Sequence, residues 1–414
     1  GTGRQLTATM KTVHKVLSAI RRRAMNIGPE YPDINHLLHE LRGQALERLE
    51  FGAEHLVSVG CAGRWYFDWI EERFGKVAHH TGVEFYSPRP EDLPSNCSWI
   101  ANTAGNMPEI FDASADVVIS GQNVEHLWPD EVTGFFLESH RILKDGGKLI
   151  IDSPNRLVTR AIGWSHPEHT VEFSPDEAVE LCTLAGLEVE KIEGIWLTID
   201  PETKHPLPFE EMSRFGPWPQ HKRTSAALGD PENSFIWWIV AAKTERKPDP
   251  EKLSKRMSEI FAAAWPERLA RTKTLIGKDS SDGKWMSSQG ATGVLLFGPY
   301  TPLKKGSYSA TCLIRVAKIP EDTQRILCSC DVVGGDPLEV FHQREVAGAD
   351  LLPDLENEIS LPFVLDKTTF GIQFRMITQQ PVEIYCAREV RLDAAATEDA
   401  ASCANPEDRN LPTP

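Results

Sequence analysis

Residues 55–63 read HLVSVGCAG and residues 77–84 read VAHHTGVE. The first is a short apolar run closed by Gly60-Cys61-Ala62-Gly63, and the second ends in Glu84, 24 residues beyond Gly60. A brief apolar run of this kind is the pattern of a strand buried on both faces of a parallel sheet. Glycines in the turn that follows let the backbone approach a ligand closely. An acidic residue ending the next strand can accept hydrogen bonds from both hydroxyls of a ribose.

Outward from this pair, strands alternate with helices. A helix is expected from about Arg64 to Phe74, and a weak third strand around Ser98–Ala101. ADVVIS at 115–120 and KLIIDS at 148–153 are further buried strands, separated by a helix over 130–143 that Asp145-Gly146-Gly147 should stop as a glycine C-cap. A helix over 175–185 ends at Gly186, and strands at 187–195 and 235–243 close the set. This rhythm predicts an α/β domain with a doubly wound, Rossmann-like sheet over residues 51–245.

Before it, Leu17, Ile20, Leu37, Leu38, Leu41, Leu46 and Leu49 recur at helical spacing, with Pro29 and Pro32 between, so residues 1–50 read as two helices. After it, residues 246–282 open on a polar, proline-punctuated stretch, a linker or surface helix. Beyond Gly283 the period changes to two, as in Tyr308, Ala310, Cys312, Ile314 and Val316. Short runs of this type over 283–393, without helices between them, predict an all-β sandwich or jelly roll. Residues 394–414 are rich in Ala, Asp, Glu and Pro and read as a mobile tail.

The 414 residues suffice for two cores. A formal charge of −16 argues against broad nucleic-acid binding, which needs a basic face. There is no run of 18 apolar residues to span a membrane, and the basic N-terminal stretch lacks the apolar region of a signal peptide. Eight cysteines are scattered, with only Cys328 and Cys330 close together, and CxC on an alternating strand is not by itself a zinc site. They read as buried, reduced thiols of a cytoplasmic protein.

Four more segments fall in order: Asn106-Met107-Pro108, DVVIS at 116–120, LESHRILKDGGKLII at 137–151 and Ser153-Pro154-Asn155-Arg156. With the glycine turn and Glu84 they resemble class I S-adenosylmethionine-dependent methyltransferases, in the branch that modifies small molecules and sugars, over residues 50–245. The resemblance implies S-adenosylmethionine as cofactor. It places Gly60, Cys61 and Gly63 on its methionine part and Glu84 on its ribose, with Phe85, Thr103, Ala104 and Gly121 completing the set. Two positions depart from the family pattern. Ala62 stands in a turn that often reads GCGxG, and Thr103 stands where an aspartate before the adenine is usual. An NAD site would instead want GxGxxG, and residues 60–65 read GCAGRW.

Two segments leave the carboxyl ends of parallel strands, where ligands bind in such sheets. They are Gly121-Gln122-Asn123-Val124-Glu125-His126-Leu127 and His166-Pro167-Glu168-His169-Thr170-Val171-Glu172-Phe173-Ser174. They resemble the ExxEH and HxxE(F/W) segments of ubiquinone-pathway O-methyltransferases and small-RNA 2′-O-methyltransferases, whose side chains hold a divalent metal against the acceptor hydroxyls. Carried over, the match falls on Gln122, Glu125, His126 and His169, with magnesium or manganese as the ion. Gln122 replaces a carboxylate. Two imidazoles and one carboxylate still form a divalent-ion donor set. A histidine could alternatively serve as a metal-free base, and Glu125 and His126 could equally be a helix-terminal pair.

The stretch from Trp196 to Gly229 is rich in Pro, His and Trp and is expected to be either a cap over the acceptor or a surface loop. GVLLFGPY at 293–300 resembles the opening of carbohydrate-binding jelly rolls, with Trp285, Tyr300, His342 and Arg344 as candidate sugar contacts. The expectation is a sugar O-methyltransferase acting on a bacterial polysaccharide or glycolipid, with a glycan acceptor and as partners a second copy of the chain or glycan-assembly enzymes. The alternatives are a small-molecule or RNA-terminus O-methyltransferase, or a glycan-binding scaffold with a degenerate methyltransferase domain.

Overall fold

In the computed structural model, residues 30–49 and 52–394 are described. The first of the two expected N-terminal helices and the tail beyond Ala394 lie outside the described residues. The chain divides into two compact units. The first holds the chain up to Trp164 together with Glu172–Glu259, and the second holds Ser165–Val171 and the chain from Ile260 onward.

The first unit is built on one seven-stranded sheet. Its strands are β1 (Ala53–Val59), β2 (Val77–Val83), β3 (Cys97–Ile100), β4 (Ala115–Gly121), β5 (Leu143–Pro154), β6 (Leu187–Leu197) and β7 (Ser234–Lys243). Their order across the sheet is β3-β2-β1-β4-β5-β7-β6. All pairs are parallel except the two made by β7, which runs antiparallel to both β5 and β6. The sheet reverses its winding between β1 and β4, the switch point where such folds open a crevice at the carboxyl ends of the strands.

The helices follow from local chemistry. Helix α1 (Ile34–Glu47) starts at Asp33, whose carboxylate accepts from the His36 amide at 3.0 Å. Leu37, Leu38, Leu41, Ala45 and Leu46 form its buried face. Helix α2 (Arg64–Phe74) begins directly after the glycine turn and buries Tyr66, Phe67, Trp69 and Ile70. Arg73 of α2 clamps Glu40 and Glu47 of α1 at 2.5 and 2.6 Å, and His39 stacks on Trp69 with ring centroids 4.6 Å apart. Helix α3 (Pro129–Ile142) carries Pro129 at its first position, where no amide is missed. It does not stop at a glycine C-cap. Leu143 is already extended and pairs with Ala115 of β4, so the helix passes straight into β5. Gly146, at φ +77°, instead serves the irregularity between the Leu143 and Lys148 pairings. Helices α4 (Arg156–Ile162), α5 (Pro175–Leu184) and α6 (Gln220–Leu228) follow. The α5 start is a reciprocal capping box between Ser174 and Glu177, and Gly186 follows its end at φ +78°.

Residues after β7 form a 20-residue helix, α7 (Pro250–Leu269), with Pro266 inside it. In the second unit, two antiparallel sheets follow. One contains β10 (Gly293–Leu296), β11 (Pro299–Leu303), β13 (Ile326–Gly334), β14 (Glu339–Ala347) and β16 (Thr369–Thr378). The other contains β8 (Lys278–Asp279), β9 (Trp285–Ser287), β12 (Gly306–Val316), β15 (Asn357–Leu365), β17 (Ile384–Ala387) and β18 (Arg391–Ala394). Strand β15 alternates strictly between buried and exposed residues, the signature of one face on a core and one in water. Phe363 of one sheet meets Phe374 of the other, with ring centroids 6.5 Å apart. All seven described cysteines are buried and free. Among the described residues no helix is long and apolar enough to cross a membrane.

Candidate cofactor and catalytic site

The β1 turn is shaped by what surrounds it. Gly60 has φ +67°, and its amide donates to the Val83 carbonyl at 3.0 Å, tying the ends of β1 and β2 together. A Cβ at Gly60 would lie 2.4 Å from Asn123 Oδ1, so the turn after β1 abuts the loop after β4. Cys61 turns its thiol into the core: a Cβ on Gly82 would lie 2.6 Å from Cys61 Sγ and 2.3 Å from the Phe67 ring. Burial, then the Glu84 charge, pushes this thiol well above its ordinary range. Cys61 can therefore meet a ligand only through its backbone.

Glu84 is set by a tight turn in which the amides of Tyr86 and Ser87 donate to Oε1 at 2.7 and 3.1 Å. Phe85 and Tyr86 are exposed and meet edge to face. Farther along, Ala104 is buried and Thr103 half-buried, with the Thr103 amide donating to Asn102 Oδ1 at 2.9 Å. Gly105 and Gly134 bring this loop onto α3: a Cβ on Gly134 would lie 2.4 Å from the Gly105 carbonyl oxygen.

The floor of the corner is polar and closed by residues that the sequence alone did not single out. Arg42 of α1 reaches Asp152, near the end of β5, donating from Nε to Oδ1 at 2.9 Å and from Nη2 to Oδ2 at 3.3 Å. Burial alone would lower the guanidinium's pKa, but the Asp152 charge and hydrogen bond outweigh it and raise it. Gln122, at φ +54°, donates its side-chain amide to Asp152 Oδ1 at 2.6 Å and its backbone amide to the Asp152 carbonyl at 3.0 Å. Gly121 admits this packing, since a Cβ there would lie 2.3 Å from Arg42 Nη2 and 2.9 Å from the Tyr66 hydroxyl. Three buried polar atoms around the corner have no hydrogen-bond partner among the described residues: Tyr66 Oη, Ser120 Oγ and Asn123 Nδ2. Leaving such atoms unpaired costs roughly 1–3 kcal/mol each. Ser120 lies inside β4 and Asn123 just beyond it, at the carboxyl end of that strand, and this position is the sequence hint to them.

Beyond Gln122 the chain makes a single 3-10 turn, Val124–His126, in which the His126 amide donates to the Asn123 carbonyl at 3.0 Å. Glu125 is fully buried, and Ser153 Oγ donates to its Oε2 at 2.9 Å. His126 is half-buried. His169, in the second unit, is 4 % exposed, stacks on His166 with centroids 4.5 Å apart and donates its amide to the His166 carbonyl. Glu125 and His126 belong to the first unit and His169 to the second. The Gln122 side-chain nitrogen is committed to Asp152.

The stretch after β6 is an ordered insertion. Arg223 of α6 is buried with its guanidinium carbon 3.7 Å from the centre of the Trp196 ring. It donates to the carbonyls of Leu197, Pro208 and Glu211 at 2.8–2.9 Å. Desolvation lowers its pKa to about 10. An open groove of about 680 Å³ lies between this insertion and the end of α4, lined by Ile162, Trp164, Pro206, Pro208 and Phe209. In the second unit, Trp285 belongs to one sheet and His342 and Arg344 to the other, so the candidate sugar contacts do not share one sheet.

Residues 57–151 match the family model described as a methyltransferase domain. A protein of Mycolicibacterium smegmatis named as a probable S-adenosylmethionine-dependent methyltransferase is 39% identical over 163 residues, 38% of this chain and 61% of that protein. A similarly named protein of Mycobacterium tuberculosis is 40% identical over 113 residues, 27% of this chain and 36% of that protein. The chain thus spans less than two thirds of the length of the relatives it matches. A solved S-adenosylmethionine-dependent methyltransferase from Archaeoglobus fulgidus is 20% identical and covers 50% of this chain and 94% of that one, with a TM-score of 0.35. That superposition is too loose to bear on function. The family match runs from β1 through the glycine turn into β5, and the first unit of this chain carries the Rossmann-like α/β fold of a methyltransferase domain.

Proposed function

We propose that the protein is an S-adenosylmethionine-dependent O-methyltransferase acting on a sugar hydroxyl of a bacterial polysaccharide or glycolipid. The observation that carries the cofactor assignment is the turn after β1, where Gly60 abuts Asn123 and its amide ties to Val83, the residue before Glu84. Gly60, Cys61 through its backbone, Gly63 and Gly121 would hold the methionine part, Glu84 the ribose, and Phe85, Thr103 and Ala104 the adenine side. When bound, the cofactor supplies a methyl group on a sulfonium, a good leaving group.

The chain's own task is then to orient the acceptor hydroxyl and take its proton. We assign that task to Glu125, His126 and His169. With the cofactor bound, the acceptor hydroxyl would be the nucleophile, the thioether the leaving group, and the hydroxyl proton would leave through this set. Carboxylate and imidazole donors also suit magnesium or manganese, which would acidify the hydroxyl. Support for a sugar comes from the groove beside Trp164 and Phe209, because aromatic faces stack on pyranose rings. Further support is a cavity of about 880 Å³ in the second unit, lined by Asp336, Glu339, Asp366, Lys367 and Phe370, a mixture that suits a carbohydrate-binding role for these sheets.

The test is transfer of labelled methyl from the cofactor to a panel of glycans, with and without chelator. Label on a sugar oxygen supports the assignment. Loss with chelator and return with magnesium or manganese selects the metal form, whereas indifference to chelator with an imidazole-like pH profile selects the histidine base. Cofactor binding without transfer to any acceptor would make the chain a glycan-binding scaffold.

A further inference from the structure

On the helix α2 side of the sheet, three side chains from three elements converge: Glu71 of α2, His80 of β2 and Cys97 at the start of β3. Their donor atoms all lie within 4.8 Å of one another. His80 Nδ1 is 3.4 Å and Cys97 Sγ 3.9 Å from Glu71 Oε1. A tetrahedral centre with bonds of about 2.0–2.3 Å sets its ligands about 3.3–3.8 Å apart. The two separations from Glu71 lie within or 0.1 Å beyond that range, so a small inward movement of the donors would complete such a centre. His80 is fully buried and Cys97 9 % exposed, while the Glu71 side chain keeps about a quarter of its surface in water.

The surroundings hold these donors in place. Ser58 Oγ lies 2.9 Å from His80 Nε2, and the Phe67 ring packs 4.4 Å from the imidazole. Asn96 Nδ2 donates to Glu71 Oε1 at 2.9 Å and to the Val77 carbonyl at 3.1 Å. The serine hydroxyl can donate to Nε2 or accept from it, so it supports either tautomer of His80. An outer partner of this kind fixes a metal-bound imidazole.

We propose that Glu71, His80 and Cys97 form a binding site for zinc or a similar thiophilic divalent ion, with a water completing the four ligands on the exposed side of Glu71. Binding requires the ion to displace one proton, from the Cys97 thiol to solvent. His80 binds neutral through Nδ1, with its Nε2 proton donated to Ser58. Because the ion must displace the thiol proton, affinity rises with pH. The site is separate from the acceptor chemistry. It fastens α2, β2 and β3, the elements that frame Glu84, and its role is structural.

The probe is cobalt(II) added at one equivalent to the full chain. The expected result is a thiolate-to-cobalt charge-transfer band, lost in Cys97→Ser and retained in His126→Ala, since the Glu125 set contains no sulfur. Ser58→Ala is expected to weaken zinc binding by about tenfold or more. X-ray absorption on the zinc-loaded wild-type chain, which needs no variant, is expected to report one sulfur among nitrogen and oxygen neighbours. Absence of a sulfur ligand in that spectrum, or a cobalt band that survives Cys97→Ser in a folded chain, would overturn the assignment and leave a closed hydrogen-bonded cluster.

Discussion

Arg42 with Asp152 in the first unit and Arg375 with Asp331 in the second each form a fork onto both oxygens of an aspartate. Arg42 grips Asp152 at 2.9 and 3.3 Å, and Arg375 grips Asp331 at 2.8 and 2.7 Å. Their settings differ. Asp331 and Arg375 face each other across neighbouring antiparallel strands, so their fork is a cross-strand pair that reinforces register. Arg42 and Asp152 are 110 residues apart and join a helix to the rim of the crevice, where Gln122 also engages Asp152. The same chemistry is thus scaffolding in one place and, under the function proposed above, the wall of the cofactor site in the other. The neighbours differ as well: Gln122 and the Tyr66 hydroxyl lie beside the first fork, at Gly121.

Removing each arginine gives the sharpest way to break that distinction. Arg42→Ala leaves a buried carboxylate without its partner and is expected to cost about 3–5 kcal/mol in denaturant unfolding. Arg375 is more exposed, and its loss is expected to cost about 1–2 kcal/mol once solvent screening is allowed for. Equal losses from the two variants would erase the contrast. Cofactor affinity should fall in Arg42→Ala and stay unchanged in Arg375→Ala.

Next in size is Glu84→Ala. Charge-assisted bonds to a ribose are worth about 1.5–3 kcal/mol each, so calorimetry should record at least a tenfold weaker affinity for S-adenosylmethionine. Unchanged affinity in a folded variant would remove Glu84 from the site.

Two glycines repeat the contrast on a smaller scale. Gly60 and Gly371 share φ +67°, but a Cβ would strike Asn123 at the first and meet nothing within 4 Å at the second. Alanine at either position should cost about 1–2 kcal/mol of stability for the left-handed backbone. Only Gly60→Ala should also weaken cofactor binding, by about tenfold, and a matching loss in Gly371→Ala would show that the effect is global unfolding.

The smallest effect concerns the thiols. In native protein at pH 8, Cys97 should alkylate slowly, ahead of Cys312, whose thiol burial pushes to about 12. Mass spectrometry of the modified peptides reads the order directly, and faster labelling of Cys312 would mean that the second core opens more readily than its packing implies.

The parallel strands were legible because each is a compact apolar run ended by glycine or an acidic residue, a local signal. The Arg42–Asp152 fork was not, because no spacing rule connects residues so far apart. The end of α3 was misread for a related reason. Gly146-Gly147 has the composition of a helix stop, but pairing of Leu143 with Ala115 draws the chain into the sheet before the glycines are reached. In the second unit, period two revealed which residues face a core. It could not reveal which of two sheets a strand joins, so Trp285 was grouped with His342 and Arg344 although they lie on different sheets. Asn123 and Tyr66 were passed over because an asparagine in a loop and a tyrosine on an apolar helix face carry no signal until their neighbours are known.

Arg223 has a further consequence. One guanidinium gathers two carbonyls from the insertion that follows β6 and one from the last residue of β6, and rests on Trp196, while Trp196 Nε1 donates to the Phe209 carbonyl at 3.0 Å. The insertion is therefore fastened by its backbone, leaving its side chains unconstrained by the anchor. The insertion thus works as a cassette: an exposed groove residue such as Pro206 can be exchanged without loosening the anchor, the sheet or the turn after β1.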